Sequence, residues 1–346
     1  MVVDGANVLH HEAVGKSDLA SGRAMRKDDL FWIASMTKPM TAVCVLMLQE
    51  EGKLSVEDPV EKYLPEFKGQ WVVESKEANK LTLVHPKRPV TLRDLLTHTG
   101  GLSDFKAPRP DCRLSELAMA YSQQVLQFEP GSKWSYNNPG INTLGRIVEV
   151  VSGVEFSKFF QERLLDVLEM KDITFWPTQA QMERMAKSYK GNKDTGKLEE
   201  VRPYFTEGEL SARNRTPIPA GGLFSTASDV ANFYRMMLRG GEFKGRQVLR
   251  PETVRLMTTT QTGEIKTGFV EGMSWGLGFQ VVKQPQGSTE SLAAGSFGHG
   301  GAYATQSWAD PQKGRAYILL IQRAGMPGAD GSEMRASLQK LGAALK

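Results

Sequence analysis

Ser35-Met36-Thr37-Lys38 places a hydroxyl and an amine three residues apart at the start of an apolar stretch. That stretch reads as a helix running to about Glu51 and closed by Gly52. Residues i and i+3 share one helix face, so the Lys38 amine can reach the Ser35 hydroxyl. A helix N-terminus also favours developing negative charge, which suits an attacking alkoxide and an oxyanion. The spacing alone is common: it recurs at Ser103 with Lys106 and at Ser337 with Lys340, and a serine at a helix start is ordinarily an N-cap. Setting singles out Ser35. A short apolar strand, Leu30 to Ala34, leads in, and a helix with Met40, Val43, Cys44, Met47 and Leu48 at helical spacing leads out.

Two further segments could share a cleft with it. Trp134-Ser135-Tyr136-Asn137-Asn138-Pro139-Gly140 is polar and turn-forming. A tyrosine beside a lysine can act as a base if cationic neighbours lower its pKa from ~10. Asn138, two residues on, offers both a donor and an acceptor to a substrate amide or ester. A half-buried tyrosine in a plain turn is the competing explanation. Phe297-Gly298-His299-Gly300-Gly301-Ala302 begins a strand whose glycines would let a substrate approach the backbone. Amides there could serve an oxyanion hole, and His299 could hydrogen-bond substrate or tyrosine. A strand entry with a surface histidine is the alternative.

The elements that must position these groups fall into an interrupted pattern. Val2-Val3-Asp4-Gly5 reads as a strand end and turn, followed by a weak strand from Ala6 to Gly15. Residues 55–219 read as mostly helical. Thr91 caps a helix to His98 with Asp94 at N3, and further helices run from Asn142 to Ser152 and Phe156 to Leu168. Residues 177–217 read as loops with short helices. A helix from Ser225 to Leu238 precedes three strands, Trp275 to Val282, Ser296 to Trp308 and Arg315 to Gln322, and a closing helix from Glu333 to Leu345. The expected fold is α/β of the α+β type: an antiparallel sheet flanked by helices, with an inserted, mostly helical domain. Residues 1–54 and 220–346 would form the discontinuous sheet domain and 55–219 the helical one, with the active site in the cleft between them.

Whole-chain properties exclude other classes. At 346 residues the chain exceeds one ordinary domain. Lys plus Arg number 43 against 39 Asp plus Glu, a net charge of +4 that gives no reason to expect nucleic acid or an anionic membrane. No apolar run reaches the ~20 residues of a membrane span, and no signal peptide is visible. The abrupt start suggests that a native segment precedes Met1, so the compartment stays open between periplasmic or secreted and cytoplasmic. Cys44 and Cys112 are the only cysteines, and nothing supports a disulfide between them. Cys44 reads as a small buried hydrophobe. His10 and His11 point to opposite faces of a strand, and His85 and His98 have no partners at metal-site spacing, so no metal or cofactor is expected. His98 reads as a structural histidine near a helix end. Oligomeric state is left open.

Taken together and in order, the three chemical segments resemble the superfamily of class C serine β-lactamases, penicillin-binding proteins and family VIII esterases. Leu95-Leu96-Thr97-His98-Thr99-Gly100-Gly101-Leu102, Ala220-Gly221-Gly222-Leu223-Phe224-Ser225-Thr226-Ala227-Ser228-Asp229 and Trp275-Gly276-Leu277-Gly278-Phe279 resemble further signatures, so the likeness spans nearly the whole chain. The resemblance implies that Ser35 is the acylated nucleophile and that Lys38 and Tyr136 share proton transfer to and from it. It implies that Asn138 holds the substrate's flank, that backbone amides of Ser35 and Ala302 form the oxyanion hole, and that His299, Gly300 and Gly301 fill the third motif.

The third motif departs from the Lys-Thr-Gly of β-lactamases. A histidine near neutral pH is a weaker partner for a β-lactam carboxylate, which favours a carboxylesterase-like serine hydrolase acting on small esters through an acyl-serine. The alternatives are β-lactamase, D-alanyl-D-alanine carboxypeptidase or D-aminopeptidase-like activity, and a non-catalytic protein of penicillin-binding fold. The expected partner is a small-molecule ester, amide or β-lactam. The literal Lys266-Thr267-Gly268 precedes the Trp275 strand and is set aside. So is Gly272-Met273-Ser274-Trp275-Gly276, which matches a hydrolase elbow but leads into a strand. Residues 102–116 and 177–217 are expected to overhang the cleft and set specificity.

Overall fold

The computed structural model describes residues 1–105, 107–203, 207–326 and 329–345. A seven-stranded antiparallel sheet runs in the spatial order Met273–Trp275, Gln280–Val282, Phe297–Gly300, Gln306–Asp310, Arg315–Leu319, Val2–Asp4, Val8–His10. The N-terminal hairpin thus completes a sheet otherwise made by the last quarter of the chain, with Val2 opposite Tyr317. The expected turn is held by Asp4, whose Oδ1 accepts the backbone N–H of Ala6 at 2.6 Å. Both faces of the central strands are buried, one under helix Ala227–Leu238 and the other under Glu333–Ala343. Tyr234 ties the first to the sheet through Ser307, and Arg335 of the second lies 4.0 Å over the Trp308 ring.

Helix Thr37–Glu50 is the spine of the other half. Thr37 through Leu48 are all buried, as a helix apolar on every side must be. It packs against helix Pro139–Ser152. The Thr91 capping box forms as expected: Asp94 N–H donates to Thr91 Oγ1 at 3.2 Å, and Thr91 N–H donates to Asp94 Oδ2 at 2.9 Å. Cys44 and Cys112 are both buried and free, and burial pushes the Cys44 thiol pKa upward.

Several expected elements are broken or missed. Ser35 does not open the α-helix; it sits in a 3₁₀ turn, Ala34–Met36, and the α-helix begins at Thr37. The helix expected from Asn142 begins at Pro139, where proline's fixed φ suits a first turn and Asn137 Oδ1 accepts the Gly140 N–H at 2.9 Å. Phe156–Leu168 is α-helical only to Phe160 and continues as a π turn over Gln161–Leu165. Trp275 to Val282 is two strands joined by a tight turn, Gly276 N–H donating to Phe279 O at 2.9 Å. Ser296 to Trp308 is likewise divided, by a turn in which Gly301 N–H donates to Thr305 O at 2.8 Å and Ala304 takes φ +65°. The hairpin Val72–Glu77/Lys80–Val84, the helix Pro251–Thr258 and the small strands Tyr189–Gly191 and Leu198–Glu200 are not among the expected elements.

Candidate active site

Strand Phe31–Trp32 pairs antiparallel with Phe224–Ser225, which lays the Ala220–Leu223 segment beside the Ser35 turn. Ile33 N–H donates to Leu223 O at 3.0 Å, and Trp32 Nε1–H donates to Gly221 O at 2.8 Å. Between them Ala34 takes φ +47°, a left-handed conformation costly for a residue with a Cβ and a common mark of functional turns. Thr37 Oγ1 donates to Ala34 O at 2.7 Å, bracing the bend.

Lys38 is 0% exposed. Its Nζ lies 3.1 Å from Ser35 Oγ, 2.8 Å from Asn138 Oδ1 and 2.7 Å from Ala220 O. Ser35, Asn138 and Ala220, from three separate segments of the chain, therefore meet at one amine. Burial lowers the Lys38 pKa to about 7, against an opposing pull from the Asp104 carboxylate.

Tyr136 reaches the same point from a loop pinned to His98: Ser135 N–H donates to His98 O at 2.9 Å and Asn137 N–H to His98 Nδ1 at 3.4 Å. His98 caps its helix in the left-handed conformation, φ +60°. Its ring centroid is 4.5 Å from that of Tyr136, and burial holds its pKa well below the usual histidine value. The Tyr136 phenol is in hydrogen-bond contact with Ser35, and Lys38 Nζ lies 4.8 Å from the tyrosine ring centroid. Burial drives the phenol's pKa far upward against the opposing hydrogen bond to Ser35. The lowered tyrosine pKa expected from the sequence is thus reversed, because desolvation dominates at the phenol and also strips charge from the neighbouring amine. Of the pair, Lys38 is the group that gives up its proton near neutrality.

His299 is 1% exposed, in strand Phe297–Gly300, behind Tyr136 with ring centroids 6.1 Å apart. It is not the surface histidine of the simpler alternative. Its Nδ1 contacts Gly300 O at 2.6 Å, and burial followed by the Lys38 charge lowers its pKa to about 3, so it is a neutral ring. Gly300 backs onto the Asp330 and Gln306 side chains, and Gly301 packs against Thr305 and the Ile33 carbonyl, where an added Cβ would lie 2.6 Å from that backbone oxygen.

Ser35, Tyr136, Asn138 and Ala302 line a cleft of about 540 Å³. Trp32, Asp104, Phe105 and Glu207 also form its walls, with Ala34, Ala220 and Gly221, and no lysine or arginine lines it among the described residues. Asp104 and Phe105 fall in the expected 102–116 loop and Glu207 in 177–217, but nothing in their local spacing marks these individual residues. A larger cavity, about 1190 Å³, is lined by residues between Arg109 and Pro217 and does not include Ser35. Two of its arginines pair with acids of the same cavity, Arg109 with Asp111 and Glu116 and Arg146 with Glu149. The competing motifs lie apart. Lys266-Thr267-Gly268 is outside every strand, and Ser274 is buried in a strand with its hydroxyl bonded to Thr260 and Thr262. Ser337 lies in the closing helix, and Lys106 lies outside the described residues. No group of three or more metal-ligating side chains occurs among the described residues, and no helix among them is long and apolar enough to cross a membrane.

A seven-stranded antiparallel sheet beside a buried Ser-x-x-Lys helix and a tyrosine loop defines the β-lactamase/transpeptidase-like fold class. The chain belongs to the β-lactamase family, whose sequence profile matches residues 1–340. It is 32% identical to Protein Rv1367c of Mycobacterium tuberculosis (strain ATCC 25618 / H37Rv) over 93% of this chain and 84% of that protein. It is 28% identical to Esterase EstB of Burkholderia gladioli over 95% of this chain and 86% of that protein. Among solved structures, simvastatin synthase LovD of Aspergillus terreus superposes with a TM-score of 0.80 at 22% identity, covering 99% of this chain and 92% of that one.

Proposed function

We propose that this chain is a carboxylesterase-like serine hydrolase that transfers an acyl group from a small ester to Ser35 and then to water. One observation carries the reading: the Lys38 amine, fully buried, 3.1 Å from Ser35 Oγ and with its pKa brought down to about 7. A lysine so placed is a general base at neutral pH. It takes the Ser35 proton as Oγ attacks the carbonyl carbon. The tetrahedral oxyanion sits against the backbone amides of Ser35 and Ala302, where a single donor can be worth ~10²–10³ in rate. The Tyr136 phenol, kept protonated by burial, hands its proton to the departing alkoxide and recovers one from Lys38. Water then attacks the acyl-serine with Lys38 as base, releasing the acid and restoring the hydroxyl.

An ester is favoured over a β-lactam because no Lys or Arg lines the cleft among the described residues and His299 is neutral, so a substrate carboxylate would meet Asp104 and Glu207 instead. The likeness to Esterase EstB supports the same choice. Hydrolysis of a p-nitrophenyl ester by the wild-type chain and its loss in Ser35→Ala are expected. Retained turnover in that variant removes Ser35 from the role, and faster turnover of a chromogenic cephalosporin than of the ester reverses the preference.

A further inference from the structure

Asn138 has both ends of its side-chain amide engaged. Oδ1 accepts from Lys38 Nζ at 2.8 Å, and Nδ2 faces Asp104 Oδ1 at 3.4 Å. The same carboxylate oxygen accepts the Asn138 backbone N–H at 3.0 Å. Asp104 is exposed, at the cleft wall, next to Phe105 and on the same cleft as Trp32 and Tyr136. Two consequences follow. The amide N–H that could hold a substrate carbonyl is turned toward a carboxylate of the protein itself. A fixed negative charge also stands two hydrogen-bonded steps from the Lys38 amine, among aromatic rings whose faces attract cations. Carboxylate plus aromatic walls is the chemistry that recognises an ammonium group.

We propose that Asp104 is a specificity-determining residue that makes the cleft select esters carrying an ammonium group on the acyl side and reject those carrying a carboxylate. This rests on the serine-esterase reading above. One unit charge about 8 Å from another, in the effective dielectric of a partly solvated cleft, changes an encounter by about tenfold. A cationic and an anionic substrate of equal shape should therefore separate by about the square of that factor, since one is attracted and the other repelled.

The test uses three p-nitrophenyl esters of matched length: the neutral pentanoate, the anionic hemiglutarate and the cationic γ-trimethylammoniobutyrate. In wild type the order of kcat/KM is expected to be cationic, neutral, anionic. Asp104→Asn should cut the cationic-to-anionic ratio by about a hundredfold, about tenfold from the lost attraction and about tenfold from the lost repulsion, while Asp104→Glu should largely keep it. The ratio is read within each variant, so a general loss of activity does not mask it. Raising ionic strength on the wild-type chain from ~0.01 M to ~1 M should shrink the ratio as well, since the Debye length falls from ~30 Å to ~3 Å. An unchanged ratio in Asp104→Asn, or one indifferent to salt, with turnover still dependent on Ser35, overturns the Asp104 assignment alone. Absence of any Ser35-dependent ester turnover overturns the function reading and this inference with it.

Discussion

Replacing Lys38 with methionine separates the two things the buried amine does. In the folded chain its pKa is about 7 against an ordinary 10.5. Between those values the unfolded chain binds a proton that the folded chain does not. Stability therefore rises with pH across that window, and the full penalty of burying Lys38 is present below about pH 7. At about 1.4 kcal/mol per unit, integrating from about pH 6 to about pH 9 gives a gain of about 2.7 kcal/mol for wild type that Lys38→Met cannot show. Methionine also leaves Asn138 Oδ1 and Ala220 O without the donor they now share. That costs about 1–3 kcal/mol per acceptor but does not vary with pH. His299, with its pKa near 3, and His98, held lower than usual by burial, stay neutral throughout the window in both chains.

The assay is urea unfolding of both chains at several pH values, with m-values compared so that the difference reflects stability alone. Other titrating groups are common to the two proteins and cancel. The expected result is a difference curve, wild type minus variant, that is flat below about pH 6 and climbs by about 2.7 kcal/mol toward pH 9. Parallel curves would show that Lys38 keeps its proton past neutrality, and a permanently charged ammonium cannot take a proton from Ser35. The catalytic proposal would fall with the electrostatic one, without any substrate having been guessed.

Two more expectations draw on the same geometry. For a substrate that does not ionise, kcat/KM should fall about tenfold per pH unit below about 7, as Lys38 acquires its proton, and show no second limb from Tyr136 below about pH 10, because burial pushes that phenol upward; an acid limb displaced by two units would assign the base elsewhere. Gly278 stands at φ +81° with the position of an added Cβ 2.5 Å from Ala42 Cβ on the buried helix, so Gly278→Ala should cost about 2–4 kcal/mol, read as a lower thermal midpoint, and a variant as stable as wild type would mean that the turn is free to move off that helix.

The groups legible in sequence were those whose geometry is local. Ser35 and Lys38 share one face because they are three residues apart, and that survives even though the first of them sits in a 3₁₀ turn. Thr91 and Asp94 announce their helix start by the same kind of short-range bonding. The overall fold was legible from order: strands at both ends with helices between, so that Val2 and Val3 find partners at Tyr317 and Ala316. Where apolar runs were read as single strands, glycines at 276 and 301 carried turns instead. Hydrophobicity continued through those turns because the first packs on the helix that leaves Ser35 and the second, with Tyr303 and Ala304 buried, lies against Ile33 and Ala34, so pattern alone could not see the chain reverse.

Proton affinity was the property that spacing could not supply. A lysine beside a tyrosine suggests a cation lowering a phenol's pKa, and that reasoning holds at a wet surface. Here Lys38 is fully enclosed and Tyr136 is packed against His98, Trp275 and Phe269, so desolvation acts on both groups in opposite senses. It removes the charge from the amine and denies one to the phenol. The amine then has no full charge with which to help the phenol ionise, which strengthens the outcome. Two neutral groups in contact with one hydroxyl, one able to accept a proton and one able to donate, make a pair that can act on both sides of a tetrahedral intermediate without either needing a permanent charge. On the esterase reading proposed above, what lies around that pair, with Asp104 and Glu207 at the cleft wall and a neutral His299 behind, decides which acyl groups can approach it.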